Sequence, residues 1–149
     1  MRQFIYKYLW WTYRPVKTYF RNRRIAKYRK EQTARLDALI ANMEKAPNRV
    51  FYLGVTEQPN LGDMAQHYCI LKWIGENYPT HELVKFESSV VTDKRFGFIQ
   101  KFKSLYHPQD IIIFQSGYCT QDLGGDHELM HRLICDNLPS AHILMMPQT

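Results

Sequence analysis

The chain has 149 residues and 45% hydrophobic content, enough for one ordinary domain with a packed core and too apolar for an intrinsically disordered chain. Its net charge of +6 hides an asymmetry: residues 1–45 hold 12 Lys/Arg against 3 Asp/Glu, whereas residues 46–149 hold 8 against 11. The basicity belongs to the amino-terminal segment, and the mildly acidic remainder lacks the basic face that a nucleic-acid-binding domain presents.

Residues 1–45 read as a basic, aromatic helical extension. Helix formers dominate from Asn22 to Met43, and Pro15 is expected to kink one helix or separate two. A cationic helix carrying Trp and Tyr suits an anionic membrane surface; the same pattern also suits a helical pair packed on a domain with its charges solvated. No stretch approaches 18 apolar residues, and Met1–Trp11 has no continuous apolar run of the secretory type.

Arg49 to Val55 reads as a short buried strand, followed by a loop rich in Pro, Asn and Gly. A helix is expected from Asp63 to Asn77, with Met64, Tyr68, Leu71 and Ile74 on its apolar face and Ala65 and Trp73 beside them. Glu82–Phe86 is a second strand, and Phe96–Leu105 a helix presenting Phe98, Ile99, Phe102 and Leu105. His107–Asp110 is a turn. Ile111–Phe114 is a third strand, apolar on both faces as in the middle of a parallel sheet. A glycine-containing loop, a helix from His127 to Leu138 and a fourth strand from Ala141 to Met146 complete the order β-α-β-α-β-α-β. Strands alternating with helices imply parallel pairing through right-handed crossovers, hence a Rossmann-like α/β domain over residues 46–149. The chain stops directly after the fourth strand, which reads as a truncation leaving that strand and a cleft face uncovered, and hence poorly soluble.

Ligands of such sheets bind beyond the carboxyl ends of the strands, which singles out three loops. In Asn60-Leu61-Gly62-Asp63, Gly62 permits close backbone approach or positive φ. There Asn60 and Asp63 either face a ligand or turn the chain and cap the helix. In Gln115-Ser116-Gly117-Tyr118, Ser116 and Tyr118 can donate hydrogen bonds beside Gly117, unless the segment is only a tight turn. Pro147-Gln148-Thr149 follows the fourth strand, where Gln148 can face the cleft. Cys69, Cys119 and Cys135 are odd in number and lack CxxC spacing, against a disulfide framework or structural zinc. Reduced, buried thiols in a cytoplasmic protein are expected. His127 and His131 would share a helix face, but without HExxH or a nearby third ligand. With His67 and His107 they read as exposed or packing residues.

The order and spacing of these loops resemble the polysaccharide pyruvyl transferase family over residues 49–149. The matching features are a strand opening into Asn60-Leu61-Gly62-Asp63, an apolar strand ending at Gly117 with Asp122-Leu123 downstream, and a strand closing on Pro147-Gln148-Thr149. The family often has consecutive glycines where this chain has Ser116-Gly117-Tyr118. The resemblance implies the first half of a two-domain, GT-B-like enzyme with its active site in the interdomain cleft. It implies transfer of the enolpyruvyl unit of phosphoenolpyruvate onto two hydroxyls of a sugar, with no cofactor. Basic residues for phosphoenolpyruvate would come mainly from the other half, so this portion alone would be inactive. The acceptor would be a sugar or lipid-linked oligosaccharide of a cell-surface polysaccharide, handled in the cytoplasm or at the inner membrane face. Asp63 is the candidate to orient or deprotonate a hydroxyl, with Asn60 positioning it; Gly62, Ser116, Gly117, Tyr118 and Gln148 are the candidate binding residues. A nucleotide-sugar glycosyltransferase of the same architecture and a non-catalytic binding module are the other readings. A Rossmann dehydrogenase is disfavoured because GxGxxG is missing after the first strand.

Overall fold

The computed structural model describes residues 10–42, 48–55, 60–115 and 125–147. The chain divides into two compact units, residues 1–35 and 36–149. The boundary falls within one long helix, α1 (Trp10–Ala41), which runs unbroken through Pro15. The separation of two helices at Pro15 is not found. A proline inside a helix forgoes one main-chain hydrogen bond, and here the helix continues past it.

The second unit is α/β. Strands β1 (Arg49–Leu53), β2 (Glu82–Phe86), β3 (Ile111–Phe114) and β4 (Ile143–Met145) form one all-parallel sheet in the order β2-β1-β3-β4. This is compatible with a Rossmann-like fold. Helix α2 (Leu61–Asn77) connects β1 to β2, α3 (Ser88–Thr92) and α4 (Phe98–Leu105) connect β2 to β3, and α5 (Asp126–Asn137) connects β3 to β4. The central strands β1 and β3 are buried at every position, whereas β2 and β4 at the edges are partly exposed.

Parallel strands must be covered on both faces. On one face Val50, Tyr52, Ile111 and Ile113 pack with Ile70 and Ile74 of α2. On the other, Phe51 meets Phe102 edge-on at 4.8 Å, Phe86 meets Phe98 at 5.1 Å, and Phe114 stacks on His131 of α5 at 4.3 Å. Offset and edge-to-face rings of this kind each add about 0.5–1.5 kcal/mol beyond their buried area.

Several boundaries differ from the sequence expectation. The first strand ends at Leu53 rather than Val55, because Gly54 turns the chain at φ 91°. Helix α2 starts at Leu61 rather than Asp63, and its buried residues are His67, Ile70 and Ile74. Met64 and Tyr68, expected on the inner face, are 58% and 70% exposed. The stripe is rotated because a histidine, counted as polar, is buried by its bond to Tyr52. The single helix expected over Phe96–Leu105 is instead a 3₁₀ turn (Lys94–Phe96) and α4, divided by Gly97 at φ 62°, with the unforeseen α3 before them. The strand expected over Ala141–Met146 pairs only over Ile143–Met145.

The amino-terminal edge of the sheet is tied by two buried charged residues. One carboxylate oxygen of Asp110 accepts the backbone N–H of Arg49, and the other accepts that of His107, both at 2.9 Å. The Arg49 guanidinium donates to the Leu105 carbonyl at 3.3 Å and lies 3.5 Å from the Glu82 carboxylate. Removing a charged acceptor strands buried donors. Asp110→Ala is therefore expected to cost about 3–5 kcal/mol, measured as a lowered midpoint in urea unfolding.

Candidate functional site

The strand order creates a switch point between β1 and β3. Helix α2 leaves β1 on one face of the sheet and α5 leaves β3 on the other, so the carboxyl ends of these two central strands open between diverging connections. Gly54 stands at this point. A Cβ built there would lie 3.1 Å from Cε of Met130 and 3.3 Å from both Cβ of Gln115 and Nδ1 of His127. The β1 end, the β3 end and the first turns of α5 therefore converge on a position that only glycine fills without displacement.

The start of α2 supplies the Asn60-to-Asp63 loop. Asn60 has extended dihedrals, and its side-chain oxygen accepts the Gly62 N–H at 3.1 Å. Of the two roles open to Asn60, the cap is the one present, and a ligand contact from it would fall to its amide nitrogen. Gly62 does not take positive φ, which among the described glycines is found at Gly54 and Gly97. A Cβ at Gly62 would meet only Asn60, at an ordinary 3.5 Å. Asp63 lies half-buried in the first turn of α2, where a negative charge complements the helix dipole. Ser116, Gly117, Tyr118 and Gln148 lie outside the described residues.

Of the histidines expected as exposed or packing residues, His67 and His131 pack. His67 is buried, and its Nδ1 lies 2.5 Å from the Tyr52 hydroxyl. Burial holds its imidazole below the usual histidine range, opposed by the charge of Asp63 and assisted by Lys85 and His127. The phenol and the ring share this hydrogen bond, whose direction follows the histidine's tautomer. His127 is likewise lowered by burial, with Asp126 and Asp63 acting to raise it. His131 is pushed down to about 4 by burial and then by His127. Among the described residues, His127 Nδ1 and His131 Nε2 have no hydrogen-bond partner. Asp63, His67 and His127 thus share one electrostatic neighbourhood approached from both faces of the sheet. Spacing did contain a signal: His67 falls in register with Ile70 and Ile74, and His127 and His131 with Met130 and Ile134, which are the buried stripes of their helices.

Cys69 and Cys135 are free and exposed, contrary to the expected burial, and Cys119 lies outside the described residues. Among the described residues, no group of three or more His, Cys, Asp or Glu is placed to hold a metal ion. No described helix is long and apolar enough to cross a membrane. Comparison with family models, curated proteins and solved structures finds no match to this chain.

Two outcomes follow from this geometry. Gly54→Ala combines left-handed strain with a close approach to Met130 and His127, and is expected to cost about 2–4 kcal/mol, read by thermal unfolding, with shifted His127 ring signals in NMR. His131 is expected to stay neutral until the pH nears 4. Because its folded value lies below the unfolded 6.5, the unfolded chain binds more protons between these limits. The contribution is complete above 6.5 and is lost as pH falls toward 4. Imidazole NMR titration checks the ring, and His131→Gln should flatten the acid side of the stability profile.

Proposed function

We propose that this chain contributes one side of the active site of an enzyme that transfers pyruvate from phosphoenolpyruvate to a sugar, as in the polysaccharide pyruvyl transferase family. The observation that carries the reading is the position of Asp63, at the start of the helix leaving β1, within electrostatic reach of His67 and His127 at the switch point. The family resemblance of the loop sequence adds to it. In this reading the other side of the cleft is a second, GT-B-like half, the reaction is cytoplasmic, and phosphoenolpyruvate is a substrate with no cofactor required.

The chemistry is ketal formation. The methylene carbon of phosphoenolpyruvate takes a proton and becomes a methyl group, one sugar hydroxyl adds to the adjacent carbon, and a second hydroxyl displaces phosphate. One hydroxyl proton ends on the methyl group and the other leaves with phosphate. The step needs a base at a hydroxyl, a proton donor at carbon and donors for the anionic groups. Asp63 takes the role of base. His67, held neutral by burial, keeps its proton on Nε2 in this reading and donates it to an anionic oxygen. His127, also neutral at pH 7, accepts or relays a proton. His131, stacked on Phe114 with its value near 4, stays out of proton transfer.

In a transfer assay of a full-length homologue carrying both halves, with isotope-labelled phosphoenolpyruvate and a polysaccharide acceptor, the substitution matching Asp63→Asn is expected to lower the rate by about 10²–10⁴-fold with folding unchanged. Full activity in that variant would sink the role of Asp63. Chemical-shift changes at Asp63, His67 and His127 on adding phosphoenolpyruvate are expected; changes there with a nucleotide sugar and none with phosphoenolpyruvate would favour a glycosyltransferase instead.

A further inference from the structure

Helix α1 carries a second surface with its own chemistry. Residues 13–30 hold eight Lys/Arg and no acid. Tyr13, Val16 and Phe20 recur at spacings of three and four, which aligns them along one stripe. Tyr19 joins them, its ring edge-on to Phe20 at 5.6 Å. These side chains are not packed away: Tyr19 is 60% and Phe20 62% exposed, with Tyr13 and Val16 close behind. Lys17, Arg23 and Arg24 flank the stripe within one turn of Phe20 and are themselves exposed.

Leaving four large apolar side chains in water at neighbouring positions is unfavourable unless something covers them. A second copy of the helix does not fit, since each carries the same concentration of positive charge. A nucleic acid neutralises the cations but offers the aliphatic Val16 no apolar phase. An anionic bilayer surface supplies both: lipid phosphates for the Lys/Arg heads and the acyl boundary for the aromatic stripe. We propose that residues 13–30 of α1 dock in the plane of an anionic membrane, with Tyr13, Val16, Tyr19 and Phe20 at the headgroup level and Lys17, Arg23 and Arg24 on lipid phosphates. The helix lies on the surface and does not cross it. The proposal is independent of the transferase reading.

Co-sedimentation of the full chain with vesicles tests it. Binding to phosphatidylcholine vesicles containing phosphatidylglycerol is expected to exceed binding to phosphatidylcholine alone by about tenfold or more, and to fall sharply in about 0.5 M salt. Tyr19→Gln with Phe20→Gln keeps the charge and the helix propensity, and should weaken binding about tenfold with the circular dichroism unchanged. Arg23→Glu with Arg24→Glu should weaken binding and flatten its salt dependence. Equal binding to neutral and anionic vesicles, indifference to the Gln pair, or equally tight binding to duplex DNA at the same ionic strength would each overturn it.

Discussion

Asp110 and Arg49 hold the amino-terminal edge of the sheet, and the rest of the domain depends on that edge being closed. Asp110 joins the first residue of β1 to the turn that starts β3, and Arg49 reaches the end of α4 and the first residue of β2. Three parallel strands therefore begin at one fixed level. Parallel strands have no hairpins to set their register, so these polar ties, together with the alternating side-chain faces, supply it. A carboxylate and a guanidinium this deeply buried are costly alone and tolerable only because backbone donors and acceptors satisfy them.

The carboxyl edge of the sheet holds the switch point. The connections from β1 and β3 leave on opposite faces, and the strand ends carry Gly54 and Gln115 into close packing with α5. Tyr52 and His67 bring a polar pair into the otherwise apolar layer under α2. That pair also rotates α2, turning Met64 and Tyr68 outward on the helix that carries Asp63. The same hydrogen bond ties α2 to β1 and orients a histidine near the switch point.

The two parts of the chain solve different physical problems. The α/β unit is mildly acidic and buries its apolar residues against a sheet. In α1, residues 13–27 expose nearly every side chain, aromatic and basic alike. Its last turns behave otherwise: Leu36 is fully buried, and Asp37 accepts from Lys101 of α4 at 2.6 Å.

The sequence by itself determined the α/β class, the four strands, the alternation that makes the sheet parallel and the presence of a helix after the Asn60-to-Asp63 loop. Those depend on local signals: apolar runs with two buried faces, turn residues between them and a capping side chain. Only the tertiary structure decided the strand order, the passage of α1 through Pro15, the division at Gly97 and the grouping of Asp63 with His67 and His127. The physical reason is that each rests on partners distant in the chain. Tyr52 makes His67 a core residue, and Met130 and His127 crowd Gly54 from a helix more than 70 residues away in the chain.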